Sequence, residues 1–233
     1  MKLFTFIKTS FKSLTKFELI LWICSVTASL ASVFVSGSDG IFSAVTSVIG
    51  ATCLIFAAKG NIISQVLSII FALLYSIISL TFRYYGEMIT YACMTLPMAV
   101  WSLITWLKNP YNESEVKVNV ISRSETIFMF ILSAVVTLIF YFILAALNTP
   151  NLLVSTVSIT TSFLACYLVA RRSEYYALAY AANDVVLIAL WIMASAENPG
   201  YIPMIICFLM FLINDIYGYI NWRRMKIQQK NGN

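Results

Sequence analysis

The sequence predicts an all-α integral membrane protein of about eight transmembrane helices, and three observations carry that prediction. Hydrophobic residues make up 61% of the 233 residues and charged residues only 11%, whereas soluble domains are about one-quarter charged. A soluble fold would leave large apolar surfaces in water. The apolar residues fall into eight runs, near 17–36, 41–58, 62–82, 87–107, 125–147, 152–169, 175–196 and 201–222. Each run, at about 18 to 23 residues, is long enough to cross roughly 30 Å of hydrocarbon as a helix. Finally, of the 15 lysines and arginines, every one but Arg83 lies at a terminus or in an alternate connection. The positive-inside rule then places both termini in the cytoplasm, as in a multi-pass plasma-membrane protein. A net charge of +5 could suggest nucleic acid, but that reading needs the basic residues gathered on one folded face. Here they are dispersed through the connections, so membrane lipid is the expected surrounding and nucleic acid is not a partner.

Taken in order, the first span follows Lys2, Lys8, Lys12 and Lys16 and contains the small-residue stretch "TASLAS". Those features also occur in secretory signal peptides, but the apolar run continues to about Phe34 and is long for such a segment, so a retained helix is expected. Turn-rich stretches "SGSDG", "NTPN" and "ENPG" follow the first, fifth and seventh spans and predict tight hairpins. Lys59, the pair Arg171–Arg172 and the run from Arg223 mark the opposite side. The longest connection, 108–124, reads "KNPYNESEVKVNVISRS" and is expected to be a cytoplasmic linker. All five cysteines (Cys24, Cys53, Cys93, Cys166, Cys207) fall in apolar segments, which suits packing thiols rather than disulfides. The chain has no histidine, which removes Ser-His and Cys-His nucleophiles, histidine metal sites and histidine proton relays. No metal and no cofactor are expected.

Sliding the chain against itself by 116 residues matches the third and fourth spans to the seventh and eighth. The shift superposes identical residues between 57–109 and 173–225, among them Tyr85 on Tyr201 and Trp106 on Trp222, and sets Tyr75 on Trp191 and Trp101 on Tyr217. A shift of four spans preserves direction across the membrane. Parallel repeats related by an axis along the membrane normal are a transporter architecture, with the substrate site near mid-membrane between the repeats.

Polar residues form stripes on these spans. In the third, Asn61, Gln65, Ser68, Ala72, Tyr75 and Ser79 recur at helical spacing. The fourth carries Tyr91, Thr95, Ser102 and Thr105 with Trp101 beside them. On the seventh, Tyr176, Ala179, Asn183, Leu187 and Trp191 share a face, with Tyr180 and Asp184 adjacent. The eighth aligns Asn214, Tyr217 and Asn221, with Asp215, Gly218 and Trp222 adjacent. Aromatic rings stack on flat solutes while amides and carboxylates bond hydroxyls and ring nitrogens, so this lining suits a polar planar solute such as a nucleoside. The candidate substrate-binding residues are therefore Gln65, Tyr75, Trp101, Tyr176, Tyr180, Asn183, Asp184, Trp191, Asn214 and Tyr217. Tyr85, Tyr201, Trp106 and Trp222, near span ends, read instead as interfacial membrane anchors. For Asn183 and Asn214 a pocket role and a structural hydrogen bond both remain open. Asp184 and Asp215 have no Lys or Arg within a span to pair with; cation binding, protonation or a hydrogen bond to the neighbouring bundle are the alternatives.

The stretch "YYGEMITYACMTLPMAVWSLITWLKN" resembles the PnuC family pattern of Tyr-Gly-Asp/Glu, a Pro-Met pair and a terminal Trp followed by Lys. "INDIYGYINWRRM" is similar to that family's final helix, and the resemblance covers about residues 55–225. It implies a fold like that of SWEET sugar transporters: two parallel three-helix bundles joined by a connecting helix. Here that means a tail and extra helix in 1–40, a first bundle in 41–109, a linker and connecting helix in 110–151, a second bundle in 152–225, and a cytoplasmic tail in 226–233. Gln65 takes the family's polar position after a Lys-Gly turn, and Tyr75 its aromatic. The family's Trp-x-x-Trp with a later Asn or Asp becomes Tyr176, Ala179 and Asn183, or in the next frame Ala177, Tyr180 and Asp184. One aromatic is lost in either frame, and the Gln that often follows Pro-Met is Ala99.

What the resemblance implies is uptake of nicotinamide riboside, or a closely related nucleoside-like vitamin, by facilitated diffusion with trapping through a separate kinase. A homotrimer is implied as well. Relatives carrying thiamine, riboflavin or deoxynucleosides supply the alternative substrates. From a different class, an intramembrane enzyme using Asp184 and Asp215 as an acid–base pair would require the two carboxyls to face each other.

Overall fold

The computed structural model describes residues 11–35, 40–81, 85–113, 115–149, 151–197 and 202–231. Lys2, Lys8, Arg83, Tyr201 and most of the "SGSDG" and "ENPG" turns lie outside the described residues. Among the described residues, eight long helices occupy the eight expected runs: α1 (Lys16–Val35), α2 (Gly40–Ala58), α3 (Ile63–Thr81), α4 (Tyr85–Leu107), α5 (Arg123–Ala146), α6 (Leu152–Ala170), α7 (Tyr176–Glu197) and α8 (Ile202–Asn231). Among the described residues, α3 to α8 are long and apolar enough to cross a membrane, while α2 offers a shorter apolar stretch, Phe42–Ala58. The only extended pairing described is an isolated bridge between Pro110 and Val116 in the linker. Helix α8 continues to Asn231, well past the predicted end of the last span, and all five cysteines are free thiols.

Local chemistry starts and stops these helices. Thr15 and Glu18 form a capping box at α1: Thr15 N donates to Glu18 Oε2 at 2.6 Å and Glu18 N to Thr15 Oγ1 at 3.3 Å. Ser122 caps α5 by accepting from Glu125 N. The "NTPN" turn uses two left-handed residues, Asn148 and Asn151, with φ of 51° and 50°, a region asparagine tolerates better than most side chains.

The packing order is a ring. Helices α2, α3 and α4 pack in succession, as do α6, α7 and α8, and the ring closes where α4 meets α6 and α8 meets α2. Helix α1 lies against α2 and α8, and α5 against α6.

Two turns at the basic end are the same structure 112 residues apart. Gly60 and Arg172 both take left-handed φ, 64° and 56°. Asn61 N donates to Phe56 O and Ser173 N to Leu168 O, while Gly60 N donates to Ala57 O and Arg172 N to Val169 O, all at 2.9 Å. This Schellman closure satisfies carbonyls that the ends of α2 and α6 would otherwise leave unpaired.

The carbonyls at those ends also accept from side chains of the last helix of the opposite repeat. Trp106 Nε1 donates to Val169 O at 2.8 Å and Thr105 Oγ1 to Ala170 O at 2.7 Å. Trp222 Nε1 donates to Ala57 O at 2.9 Å and Asn221 Nδ2 to Ala58 O at 2.9 Å. The membrane-anchor reading of Trp106 and Trp222 is therefore corrected: both are fully buried, because each indole N–H has a helix-end carbonyl to satisfy. Tyr85, by contrast, is 43% exposed at the start of α4, as an anchor would be.

The linker ties this end together. Val116 N donates to Gly60 O at 3.0 Å and Asn119 N to Arg172 O at 2.9 Å, so one strand of chain touches both turns. Gln229 of α8 accepts from Val118 N and donates to Val116 O. Ion pairs Lys59–Glu18, Arg171–Glu125 and Lys226–Glu174 sit at the same end.

Candidate functional site

Helices α7 and α8 approach closely through Gly218, where an added Cβ would stand 3.3 Å from the Tyr176 hydroxyl and 3.4 Å from Ala177 Cβ. A small residue lets two membrane helices pack this tightly. One turn before it, Asp215 lies near Asp184 of α7, and the two buried carboxyl groups are close enough to interact electrostatically. They are 5% and 4% exposed. Tyr176 and Tyr180 of α7 and Cys53 of α2 lie within electrostatic range of Asp215, as do Tyr91 of α4 and Cys207 of α8 for Asp184. Four helices, α2, α4, α7 and α8, therefore converge on this pair.

Tyr91 arrives there through a distortion of α4. Pro97 has no N–H to give the carbonyl of Cys93, and over Thr90–Thr95 the helix widens to π geometry, with Leu96 N donating to Tyr91 O. Such single π turns are frequent at functional sites. The Tyr91 ring lies 4.4 Å from that of Tyr75, which stacks on Phe71 at 5.5 Å. Tyr75 OH donates to Glu87 Oε2 at 3.0 Å, so this aromatic group is anchored at the opposite end from the basic turns.

The other candidates divide by direction. Tyr180 shares a 3.3 Å contact with Cys166 Sγ. Asn183, next to Asp184, turns to α6 and accepts from Thr161 Oγ1 at 2.8 Å and Ser162 Oγ at 3.0 Å. Tyr176 packs on Trp222 with centroids 4.9 Å apart, and Trp101 on Tyr167 at 5.7 Å. Gln65 is buried beside Ser64, to whose hydroxyl it donates. Trp191 is half-buried farther along α7.

Asn214 and Tyr217 both reach α1. Asn214 Nδ2 donates to Ser25 Oγ at 2.7 Å, and Tyr217 OH to Glu18 Oε1 at 2.6 Å. The structure thus gathers Tyr180, Asp184, Tyr75 and their neighbours and leaves Asn214 and Tyr217 outside that group. Two residues absent from the sequence-derived set, Tyr91 and Asp215, join it. Tyr91 lay on a visible polar stripe, with Pro97 as the clue to the distortion that aims it. Asp215 was visible as a charge in an apolar run but had no partner until α7 and α8 were placed.

A groove of about 420 Å³ between α5 and α6, lined by Ser133, Thr137, Tyr141, Thr156 and Thr160 among others, contains none of these residues. Nor do the described residues include a group of His, Cys, Asp or Glu able to hold a metal ion.

Residues 40–224 match the family model described as nicotinamide mononucleotide transporter. The chain is 28% identical over 218 residues to a nicotinamide riboside transporter PnuC of Neisseria mucosa, covering 91% of this chain and 82% of that protein. It is 25% identical over 210 residues to the nicotinamide riboside transporter PnuC of Haemophilus influenzae, covering 88% and 89%. In three dimensions it is similar to the crystal structure of the vitamin B3 transporter PnuC, with a TM-score of 0.77, 26% identity and coverage of 93% of this chain and 94% of that one.

Proposed function

This chain belongs to the nicotinamide mononucleotide transporter family, and on that footing we propose that it carries nicotinamide riboside, or a closely related nucleoside-like vitamin, into the cell by facilitated diffusion. The observation that carries the reading is the family match over 40–224, which spans every helix converging on the buried polar and aromatic centre. The substrate path runs between α3, α4, α7 and α8, with Gln65, Tyr75, Tyr91, Trp101, Tyr180 and Asp184 along it. Asn214 and Tyr217 hold α1, and Asn183 fixes α7 to α6. Both termini face the cytoplasm of the plasma membrane, a reading supported by the basic residues of the linker and turns, and the trapping kinase is a separate protein.

Proteoliposomes containing the purified chain should equilibrate radiolabelled nicotinamide riboside without ATP or an ion gradient. Accumulation that depends on a sodium or proton gradient would refute facilitated diffusion. The assembly is proposed as a homotrimer, which the mass of the solubilised protein measures. One observation favours a second reading: Asp184 and Asp215 are both buried on the packed helices α7 and α8, as an acid–base pair would need to be. Recovery of chemically unchanged substrate from the vesicle lumen rejects it.

A further inference from the structure

Burying two carboxyl groups together in an apolar bundle is costly, and membrane proteins that do so use them. Among the described residues the three ion pairs all sit at the basic end of the bundle, and none involves Asp184 or Asp215. Asp184 Oδ2 is buried without a hydrogen-bond partner. The dyad is therefore neither neutralised by a basic side chain nor fully satisfied by donors, and packing alone does not account for it. Three tyrosines, Tyr176, Tyr180 and Tyr91, lie within electrostatic range of one or other carboxyl. Their faces attract positive charge as well as planar groups.

The repeat sharpens this point. At the positions 116 residues earlier stand Ser68 and Ala99, so the two halves share their helix-end latches but not their central chemistry. On the other side of the ring the Glu87 carboxyl accepts from Tyr75 OH, whereas on the α7–α8 side Asp184 Oδ2 is left without a partner, an asymmetry that orients a bound solute.

We propose that the Asp184–Asp215 dyad is the counter-charge for a substrate bearing a fixed positive charge on a flat ring, so that the transporter selects cationic over neutral aromatic solutes of the same shape. This rests on the transporter reading above and deepens it. A cation entering a low-dielectric site is attracted far more strongly than in water, whereas a neutral ring of equal size gains only stacking.

The test is calorimetric titration of the purified full chain with nicotinamide riboside, a ring cation, and with its uncharged 1,4-dihydro form, followed by thiamine, a differently shaped cation, and neutral riboflavin. The wild-type protein should bind nicotinamide riboside tighter than the dihydro form by about tenfold or more, and Asp184→Asn and Asp215→Asn should bring that ratio close to one. Equal wild-type affinities overturn the proposal, and so does a ratio that survives in either folded variant. Difference infrared spectra of the wild-type protein give a readout independent of variant folding: the cation must perturb a carboxyl band that the dihydro form leaves unchanged, and identical spectra refute the dyad's role. Equal binding of both riboside forms leaves the transporter reading intact while removing the dyad. Aspartate-dependent binding of thiamine without any of nicotinamide riboside does the reverse, removing the family's substrate and keeping the dyad. Failure of both cations to bind the folded protein overturns both.

Discussion

Trp106 and Trp222 stand 116 residues apart, yet their rings meet at 5.6 Å between centroids, and each donates its indole N–H to the end of a helix in the other repeat. The pair joins the two halves of the molecule at the basic end: α4 is fastened to α6, α8 to α2, and the fasteners to each other. Replacing either Trp by Phe keeps the ring but removes the donor. Each substitution should cost about 0.5–1.5 kcal/mol, the net worth of one hydrogen bond, because the carbonyl keeps its bond from Arg172 N or Gly60 N. Because the rings touch, the double variant should depart from additivity by about 0.5–1.5 kcal/mol. Thermal unfolding of the detergent-solubilised protein measures both, and strict additivity would mean that the ring contact contributes nothing.

Gly60→Ala tests the turn that sets up the carbonyls for this fastening. At φ of 64° an added Cβ is strained, and it would approach Met225 Cε to 2.6 Å. The strain alone is about 1–2 kcal/mol. The expected result is a lower melting temperature that Met225→Ala only partly restores, since the flexible side chain can move but the backbone penalty stays. Full restoration would assign the whole effect to the clash.

Helix α1 is docked through Glu18, which is 2% exposed and held by Lys59 at 3.0 Å and by Tyr217. Lys59→Met leaves a buried carboxylate without its cation, a change that costs about 3–5 kcal/mol in a fully buried pair and less here, where Lys59 keeps some solvent contact. The double variant Lys59→Met with Glu18→Gln should regain most of the loss. Asn214→Leu should likewise lower stability, through the contact with Ser25, while leaving substrate affinity unchanged. Loss of affinity in a folded Asn214→Leu protein would put that residue back in the binding site.

Pro97→Ala returns the missing N–H to α4. The ladder can then close in α geometry, which turns Tyr91 away from Asp184. Substrate affinity should fall severalfold while thermal stability holds or rises, since proline within a helix is unfavourable by about 3 kcal/mol. Unchanged affinity would show that Tyr91 is not part of the path.

The helices, the basic end and the repeat were all legible in the chain before folding, because hydropathy, run length and the spacing of Lys and Arg are properties of local sequence. The helix of α8 beyond residue 222 was not, since it is held by Gln229 against a linker residue more than a hundred positions away. Site membership was only partly legible. Asn183 and Asp184 are neighbours about 100° apart on a helix, and in a soluble protein the apolar face would show which one points inward. Lipid removes that contrast, because hydrocarbon outside and side chains inside are equally apolar. Only the placement of α6 and α8 decided that Asn183 bonds two hydroxyls and Asp184 lies near Asp215. The same reason reversed the reading of Trp106 and Trp222: an indole near a span end suits the membrane surface until another helix end offers it a carbonyl. Amino-acid sequence determined what kind of molecule this is and where its helices run; the tertiary contacts alone decided which polar groups face one another, because that depends on partners far away in the chain.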